Sequence, residues 1–477
     1  MVRILKAGLA FSLFAVMWSC SSTEPTNPVD TQNTPVSTDA SLITLTEQSG
    51  ENPLLMQMGP PVYPASQSST STGTWTETTD SLGITVKFIG AAPTASASGT
   101  STELLFSVAD MRSASDVLAP GVALDAGTGT TQPQAGLLTA AEWNDHCHWH
   151  DFQIFVRENP SAFTRWQLNL QKRIMIEVKN RSGCVVPDAE VQITAAGKTV
   201  FEGLTLADGR TAFFPLDARA DDTASYSVKA QKGTSFVTAE IKPVEDNDQT
   251  WTLNLPVCSH TVTPSLDLVF VVDVTGSMSD ELSFIQTELV DICGQVYSAG
   301  IAGLRVGFVF YRDRGDEFVT RVFEFSSDFE KTQQNITSVQ ATGGGDKEES
   351  VNLAMRHMLQ KLAWHTENCV RLCFWITDAA PHYYADEDYT YHQGLIEAVK
   401  KGIKINPVAA SGILPEEEYF YRHAAVKTLG RYLFLTDNSG VGGSHLTPAV
   451  GSFDVKLLNG LIVKVIKEEL GKWPSGQ

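Results

Sequence analysis

The sequence predicts a multidomain protein in which a C-terminal α/β domain with a doubly wound, mostly parallel sheet follows a small all-β sandwich and a disordered N-terminal tether. Three observations support this prediction. The length of 477 residues exceeds what one hydrophobic core usually serves. Apolar and polar residues alternate with a period of two over residues 173–257, as in half-buried strands. Over residues 264–472, continuous apolar runs alternate with helical patterns, as expected for strands covered by helices on both faces.

The N-terminus has the pattern of an export signal. Two basic residues precede an apolar run over residues 7–17, which is too short to span a bilayer comfortably. Residues 1–20 are therefore predicted to be a signal peptide. Their end resembles a bacterial lipoprotein cleavage site, although Trp18 is atypical of that pattern. The resemblance implies that Cys20 is lipidated and that the protein sits on a membrane of the bacterial cell envelope, either the outer membrane or the cell surface. An ordinary cleaved signal and an uncleaved anchor are the alternatives.

The next two segments carry weaker signals. Residues 21–83 are rich in Ser, Thr, Pro and Gln without a sustained hydrophobic period, which predicts the disordered tether. Residues 84–172 are irregular, with short strand-like pieces, and their fold is left open. Thr139 before Ala140 is a start signal for a helix in the second half of that range.

Residues 173–257 are predicted to form the sandwich, because turn signals separate the short strands at the spacing of such folds. The segment SGCVVPDAEVQI, followed by GLTLADGRTAFFP, resembles the carboxypeptidase regulatory-like (immunoglobulin-like) module of bacterial surface proteins. That resemblance implies a spacer or scaffold role.

Charge and hydropathy argue against two kinds of partner. The formal net charge is -20, whereas affinity for nucleic acid comes from Lys and Arg that neutralise phosphates. No later stretch approaches the ~20 apolar residues of a membrane span. We therefore expect no nucleic-acid binding, and membrane contact through the lipid anchor only.

The cysteines allow many disulfide pairings, and their spacing favours none. Cys373 lies in a strongly apolar segment, where a buried free thiol is expected. The cysteines other than Cys20 are Cys147, Cys184, Cys258, Cys293, Cys369 and Cys373.

Hydroxyl and carboxylate side chains follow the first apolar run of the α/β region. Asp273 ends that run, and Thr275 and Ser277 follow at intervals of two residues. All three side chains face one point if the loop curls. Gly276 is expected to permit the curl, because a residue without Cβ tolerates the backbone angles of a tight loop.

Two more oxygen ligands are expected at the same edge of the sheet. Thr342 opens the loop TGGGDKEES, and Asp378 ends another apolar run. Ligands in a doubly wound sheet bind at the carboxyl ends of its strands. Hard oxygen ligands without His or Cys select Mg2+ or Mn2+. The alternatives are that the two acids form strand-end turns and that the hydroxyls cap a helix starting near Ser279.

The sequence DVTGSM, a Thr before GGGD, and TDAAPH together match the metal-ion-dependent adhesion site of the von Willebrand factor A (VWA) family. This resemblance implies a Rossmann-like VWA domain over residues 264–472. It also implies that the five residues hold one metal ion and that an acidic side chain of a protein ligand completes the coordination of that ion. Thr275 stands where Ser is commoner, but it keeps the hydroxyl.

Residues near this set have open interpretations. His382 and Tyr383 follow Asp378 and either flank the ligand or belong to a solvated loop. Asp346 is expected to cap a helix, with Glu349 completing a capping box.

A separate histidine cluster has two interpretations. It could bind Zn2+ or copper, but a polar surface segment is favoured because no partner at ligand spacing is apparent. The cluster consists of His146, His148 and His150.

These features favour a binding protein over an enzyme. The chain contains no HExxH, GxxxxGK[ST] or GxSxG motif. We therefore expect a cell-envelope lipoprotein that binds a protein partner through the metal. The alternative is a structural or assembly component of the envelope, in which the α/β domain packs against neighbours without metal-dependent capture.

Overall fold

The computed structural model describes residues 76–79, 85–88, 132–221, 225–242, 247–257 and 262–474. The predicted signal peptide with Cys20, most of the predicted tether, and Cys258 lie outside the described residues. Residues 76–79 pair with residues 85–88 as antiparallel strands. The end of the range predicted to be disordered, 21–83, therefore contains a strand, in keeping with the β-branched threonines there.

The strands are β1 (Thr76–Thr79), β2 (Thr85–Phe88), β3 (Thr139–Trp143), β4 (Arg173–Asn180), β5 (Glu190–Ala195), β6 (Lys198–Leu204), β7 (Arg210–Phe213), β8 (Tyr226–Lys232), β9 (Ser235–Ile241), β10 (Asp248–Leu255), β11 (Ser265–Asp273), β12 (Arg305–Tyr311), β13 (Thr320–Ser326), β14 (Cys369–Thr377), β15 (Ile403–Ala409), β16 (Tyr432–Leu435) and β17 (Lys456–Leu457). The α-helices are α1 (Trp149–Glu158), α2 (Pro160–Trp166), α3 (Leu282–Ser298), α4 (Phe329–Thr337), α5 (Val351–Gln360), α6 (Tyr391–Lys400), α7 (Pro415–Lys427) and α8 (Leu458–Gly471).

A mixed sheet with the strand order β13-β12-β11-β14-β15-β16-β3-β17 forms the centre of the α/β domain. Its five middle strands, which are β12, β11, β14, β15 and β16, run parallel. Successive residues of β11 alternate between two hydrophobic cores, with Val269 and Val271 in one and Phe270 and Val272 in the other. Helices α5, α6 and α7 cover the first face, and α3 and α8 cover the second. The predicted C-terminal α/β domain is confirmed.

The prediction that a helix starts at Thr139 is wrong, because this segment is strand β3. It pairs antiparallel with β16 on one side and β17 on the other. Ala140 packs into one core and Ala141 into the other, so both faces of the segment are buried. The hydroxyl of Thr139 lies 2.8 Å from that of Thr436 instead of capping a helix. The range 264–472 thus leaves out a strand that the sheet includes.

Two further sheets share a third core over residues 173–257. One has the order β10-β4-β7 and the other β6-β5-β8-β9. Ile174, Ile176, Val228 and Trp251 are among the buried residues between them. The resemblance of this region to the carboxypeptidase regulatory-like module stays a prediction.

The two-sheet region packs against the amino ends of the α/β strands. Asp188 accepts a 2.9 Å hydrogen bond from Arg371, near the start of β14, and both side chains are buried. The backbone N–H of Asn368 donates to the same carboxylate at 2.7 Å. An exposed pair, Glu202 and Lys400, lies 2.8 Å apart at this interface. The carboxyl ends of the strands, where the metal ligands are predicted, lie at the opposite edge of the sheet.

The described cysteines are free thiols. Cys147 and Cys184 are exposed, whereas Cys293, Cys369 and Cys373 are buried. The buried free thiol expected at Cys373 is confirmed. Among the described residues, no helix has both the length and the apolarity needed to cross a membrane.

Candidate metal centre

The loop after β11 brings three of the predicted ligands together. The backbone N–H and the hydroxyl of Thr275 both donate to Oδ1 of Asp273, at 3.0 and 2.7 Å. The same hydroxyl lies 3.1 Å from the hydroxyl of Ser277. Asp273 and Thr275 are fully buried, while Ser277 is exposed. The loop therefore curls as expected, with its oxygens directed to one place.

The capping alternative for the hydroxyls is wrong. A 3-10 turn spans Gly276–Asp280, and no side-chain hydrogen bond of Thr275 caps it. Helix α3 begins at Leu282, with Glu281 at its N-cap. The hydroxyls of Thr275 and Ser277 are thus not used up by a helix end.

Gly276 is required for a different reason from the one predicted. Its φ is not in the left-handed region. A Cβ there would instead lie 2.8 Å from the carbonyl oxygen of Gly343, to which the Gly276 N–H donates at 2.9 Å. Close approach of two backbones, and not unusual backbone angles, selects glycine here.

Asp378 completes the buried part of the site from the end of β14. It is 3% exposed, and the neighbouring Ser277 hydroxyl favours the ionised form of its carboxyl group, which lowers its pKa against the larger opposing effect of burial. Its Oδ1 is buried and has no hydrogen-bond partner among the described residues. Lys347 Nζ donates to the backbone carbonyl of Asp378 at 2.6 Å and so fixes the chain at this point.

Thr342 reaches the site through its backbone. Its N–H donates to the carbonyl of Val274 at 3.2 Å, which places the loop beside the other ligands. The side chain is exposed, and no hydrogen bond among the described residues joins its hydroxyl to the other four predicted ligands. The structure therefore brings four of the five side chains close together and sets the fifth at the rim.

Crowded carboxylates make the site electronegative. Burial and the neighbouring Asp378 carboxylate raise the pKa of Asp273 to about 7, and burial also raises the pKa of Asp378. A bound cation would remove the cost of holding two ionised carboxylates together. The donors are oxygens only, and one buried carboxylate oxygen lacks a partner. These residues therefore fit Mg2+ or Mn2+.

Sequence reasoning assigned the wrong role to the acids of the Thr342 loop. Helix α5 begins at Val351 with Ser350 at its N-cap, so Asp346 caps no helix and Glu349 completes no capping box. The reason is a bridge between Glu349 and Pro381, which keeps the chain extended before the helix. Burial and the negative charges of several neighbouring acids raise the pKa of Glu349 to about 9, and Asp273 has the largest effect among those acids. Glu349 is therefore an unpredicted part of the site.

Asp313 is a second acid that the sequence did not single out. It is buried, two residues beyond the end of β12, and its Oδ1 accepts a 2.9 Å hydrogen bond from the Ser350 hydroxyl. The rule that singled out Asp378 as a residue at a strand's carboxyl end applies equally to Asp313. That signal was present in the sequence.

The side chains of His382 and Tyr383 lie in different surroundings. The His382 ring stacks on Tyr384 with centroids 4.1 Å apart, and its Nδ1 lies 3.6 Å from Asp346. Tyr383 is 55% exposed, and its hydroxyl lies 2.7 Å from that of Tyr391. Their proposed contact with a ligand stays a prediction.

The histidine cluster near residue 148 does not converge on one point. The ring nitrogens of His146 lie 2.9 Å from the carbonyl of Val426 and 2.8 Å from Arg173. His148 stacks on Trp143 instead. Neither of the two potential metal-binding groups among the described residues includes this cluster.

One of those two groups is a structural ion pair. It contains Asp267, His365 and Cys369. Both carboxylate oxygens of Asp267 accept hydrogen bonds from Arg305, at 2.9 and 2.7 Å. The arginine thus takes the place that a cation would occupy.

Comparisons with known proteins support the α/β domain. The family model described as the von Willebrand factor A domain matches residues 267–434. The chain is 25% identical over 194 residues to the alpha-protein kinase vwkA of Dictyostelium discoideum, covering 40% of this chain and 30% of that protein. It is 30% identical over 118 residues to an ariadne-like RING finger protein of Acanthamoeba polyphaga mimivirus, covering 25% of this chain and 11% of the other. The match thus spans less than a third of each curated relative.

A solved structure is also similar over part of the chain. Proximal thread matrix protein 1 from the mussel byssus aligns with 14% identity and a TM-score of 0.28, over 35% of this chain and 41% of that one. The family match and the doubly wound sheet agree on the same residues. The chain contains a von Willebrand factor A domain over residues 267–434.

Proposed function

We propose that the chain is a cell-envelope lipoprotein that binds a protein partner through a divalent cation, Mg2+ or Mn2+. The cation would be held by Asp273, Thr275, Ser277, Thr342 and Asp378. One observation carries the proposal: the hydrogen-bonded turn from Asp273 to Ser277 faces Asp378, whose buried Oδ1 has no partner among the described residues.

The site is built to present a cation on one side only. Asp273 and Thr275 are buried and form its floor, while Ser277 and Thr342 are exposed and form its rim. When bound, the cation supplies an open coordination position for a carboxylate of the partner. The protein's part is to orient the oxygens before the partner arrives, which reduces the cost of binding.

Binding, and not catalysis, is the role we propose. Neutral hydroxyls supply three of the five ligands, and such a cation has modest power to activate water. The sequence also lacks the hydrolase and nucleotide-binding motifs noted above.

The position of the sandwich region supports access by outside partners. It contacts the amino ends of the sheet, through Asp188 and Arg371, and leaves the metal edge uncovered by residues 173–257. The lipid anchor rests on the sequence pattern that ends at Cys20. Incorporation of labelled palmitate into the full chain, lost in Cys20→Ser, tests that part.

Metal-dependent capture tests the central part of the proposal. Full-length protein is incubated with cell-envelope extract in Mg2+ or in EDTA, and captured proteins are compared. Wild type is expected to capture a partner in Mg2+ only, and Asp273→Ala is expected to capture none while its circular dichroism spectrum is unchanged. Asp454→Ala, an exposed acid outside the site, is the control and should behave as wild type.

Persistent capture in EDTA would instead favour the structural or assembly role. In that case the VWA domain packs against its neighbours, and the metal is not needed for association.

A further inference from the structure

A second group of metal-ligating side chains lies beside the proposed site. Asp313, Asp346 and His382 each offer one ligand atom, and these atoms all lie within 4.8 Å of one another. The three residues come from three different loops, after β12, before α5 and after β14. None of them belongs to the five ligands proposed above.

The His382 imidazole is held in place but has a free nitrogen. Stacking on Tyr384, with an interplanar angle of 5°, fixes the ring, and the backbone N–H donates to the carbonyl of Glu349 at 2.9 Å. Nδ1 is buried and has no hydrogen-bond partner among the described residues. The 3.6 Å to Asp346 is too long for a hydrogen bond but suits two ligands of one ion.

Asp313 is oriented by two hydroxyl groups. Its Oδ1 accepts hydrogen bonds from Ser350, at 2.9 Å, and from Tyr384. Such partners orient ligating carboxylates in metal sites. Tyr384 therefore fixes two of the three members of the group, one through stacking and one through its hydroxyl.

The carboxylates of this region outnumber its cations. Among the described residues, none of the six acids around the two groups forms an ion pair with Lys or Arg. These acids are Asp273, Asp313, Asp316, Asp346, Glu349 and Asp378. With Glu349 protonated, up to five negative charges remain, and one divalent cation balances two of them.

Glu349 lies where the two groups meet. It is 2% exposed, and its Oε2 has no hydrogen-bond partner among the described residues. The carboxylates whose negative charges raise the pKa of Glu349 include Asp273 and Asp378 of the first group and Asp313 of the second. A buried, unpaired carboxylate of this kind is costly unless a cation lies near it.

We propose that Asp313, Asp346 and His382 bind a second divalent cation, of the class that accepts both carboxylate and imidazole ligands, such as Mn2+ or Zn2+. This cation ties the loop that carries Thr342 to the loops after β12 and β14. The proposal goes beyond the proposed function, because it uses none of the first five ligands and predicts a nitrogen ligand that they lack.

Mn2+ titration of the full-length protein, followed by electron paramagnetic resonance, tests the second site. Bound Mn2+ is counted, and pulsed measurements detect coupling to an imidazole 14N nucleus. Wild type is expected to bind two Mn2+ ions and to show the nitrogen coupling. His382→Phe, which keeps a ring to stack on Tyr384, is expected to bind one Mn2+ and to show no coupling.

Two further variants separate this proposal from the first. Asp273→Ala is expected to bind one Mn2+ and to keep the nitrogen coupling, because only the oxygen site is lost. His150→Phe changes an exposed histidine elsewhere and should match wild type. A single Mn2+ without coupling in wild type, or coupling that survives in His382→Phe, would overturn the second site. Two ions retained in Asp273→Ala would overturn the first site and leave the second standing.

Discussion

At the residue scale, the hydroxyl of Thr275 joins the two ends of the loop from Asp273 to Ser277. It donates to Asp273 and contacts Ser277. The spacing of these residues in the sequence was enough to predict that they meet, because a curled loop after a strand end leaves few other arrangements. Asp378 was predictable for the same reason, since parallel strands end at one edge.

Residues whose role depends on the path of a loop could not be predicted in this way. A capping box was a sound local interpretation of Asp346 and Glu349, but the bridge from Glu349 to Pro381 is a contact between distant segments. Gly276 is similar, because the carbonyl that excludes a side chain belongs to Gly343. Only the folded arrangement of the two loops reveals either requirement.

A pH-dependent contribution to stability is expected from His445. Its ring nitrogens lie 2.7 Å from Glu281 and 2.7 Å from Asp437. Burial opposes the charged ring, but the ion pair with Glu281 and the hydrogen bond with Asp437 outweigh it and raise the pKa of His445 above 6.5. The stabilisation is therefore complete below about pH 6.5 and is lost as the pH rises through the higher folded-state pKa.

Urea unfolding of wild type and His445→Gln from about pH 6 to 9 checks this expectation. The difference in the free energy of unfolding should shrink as the pH rises. A difference that stays constant or grows with pH would show that the charged ring contributes nothing.

At the element scale, β3 is where sequence reasoning failed most clearly. Thr139 followed by two alanines and Glu142 has the local preferences of a helix start. The segment instead fills a gap between β16 and β17, where small side chains fit against both cores. Tertiary context overrode the local signal, because the pairing partners lie some 300 residues away in the sequence. The long apolar strands β11 and β14 carried no such conflict and were predictable.

Proline at residue 140 distinguishes the two interpretations of this segment. Pro is well tolerated at the first position of a helix, which Ala140 would occupy after a Thr139 cap. In a strand with neighbours on both sides, it removes a hydrogen bond of the ladder. We expect Ala140→Pro to lower the free energy of unfolding by at least about 2 kcal/mol.

Ala135→Pro, in the exposed turn before β3, is the matched control and should change stability by less than about 1 kcal/mol. Chemical denaturation of both variants measures the effect. Equal stability of Ala140→Pro and wild type would refute the strand assignment.

At the scale of the whole molecule, the two-sheet region over residues 173–257 and the candidate metal centre lie at opposite ends of the strands of one sheet. Arg371 contacts Asp188 near the start of β14, and Asp378 follows its end. At about 3.3 Å per residue, the seven residue steps from Arg371 to Asp378 span roughly 23 Å. The sequence patterns predicted the order of these regions along the chain. They contained no sign of how the regions pack, because Asp188 and Arg371 are ordinary charged residues until they are buried together.

The buried pair of Asp188 and Arg371 is expected to hold the two-sheet region and the VWA domain together. Asp188→Ala leaves the Arg371 charge buried without its partner, which typically costs about 3–5 kcal/mol. Glu202→Ala removes an exposed pair at the same interface and should cost less than about 1 kcal/mol.

Differential scanning calorimetry distinguishes the two variants. Wild type and Glu202→Ala are expected to unfold in a single transition, and Asp188→Ala in two, as the regions uncouple. A single, unshifted transition in Asp188→Ala would show that the pair does not couple them.

The central claim is that Asp378 and the loop from Asp273 to Ser277 hold a divalent cation. Titration calorimetry with Mg2+ tests this claim most directly. Wild type and Thr275→Ser keep the hydroxyl and are expected to bind Mg2+ with similar affinity. Thr275→Val has nearly the same shape but no hydroxyl, so its affinity should fall by at least about tenfold, or about 1.4 kcal/mol. The absence of Mg2+ binding by wild type, or undiminished affinity in a folded Thr275→Val protein, would contradict the claim.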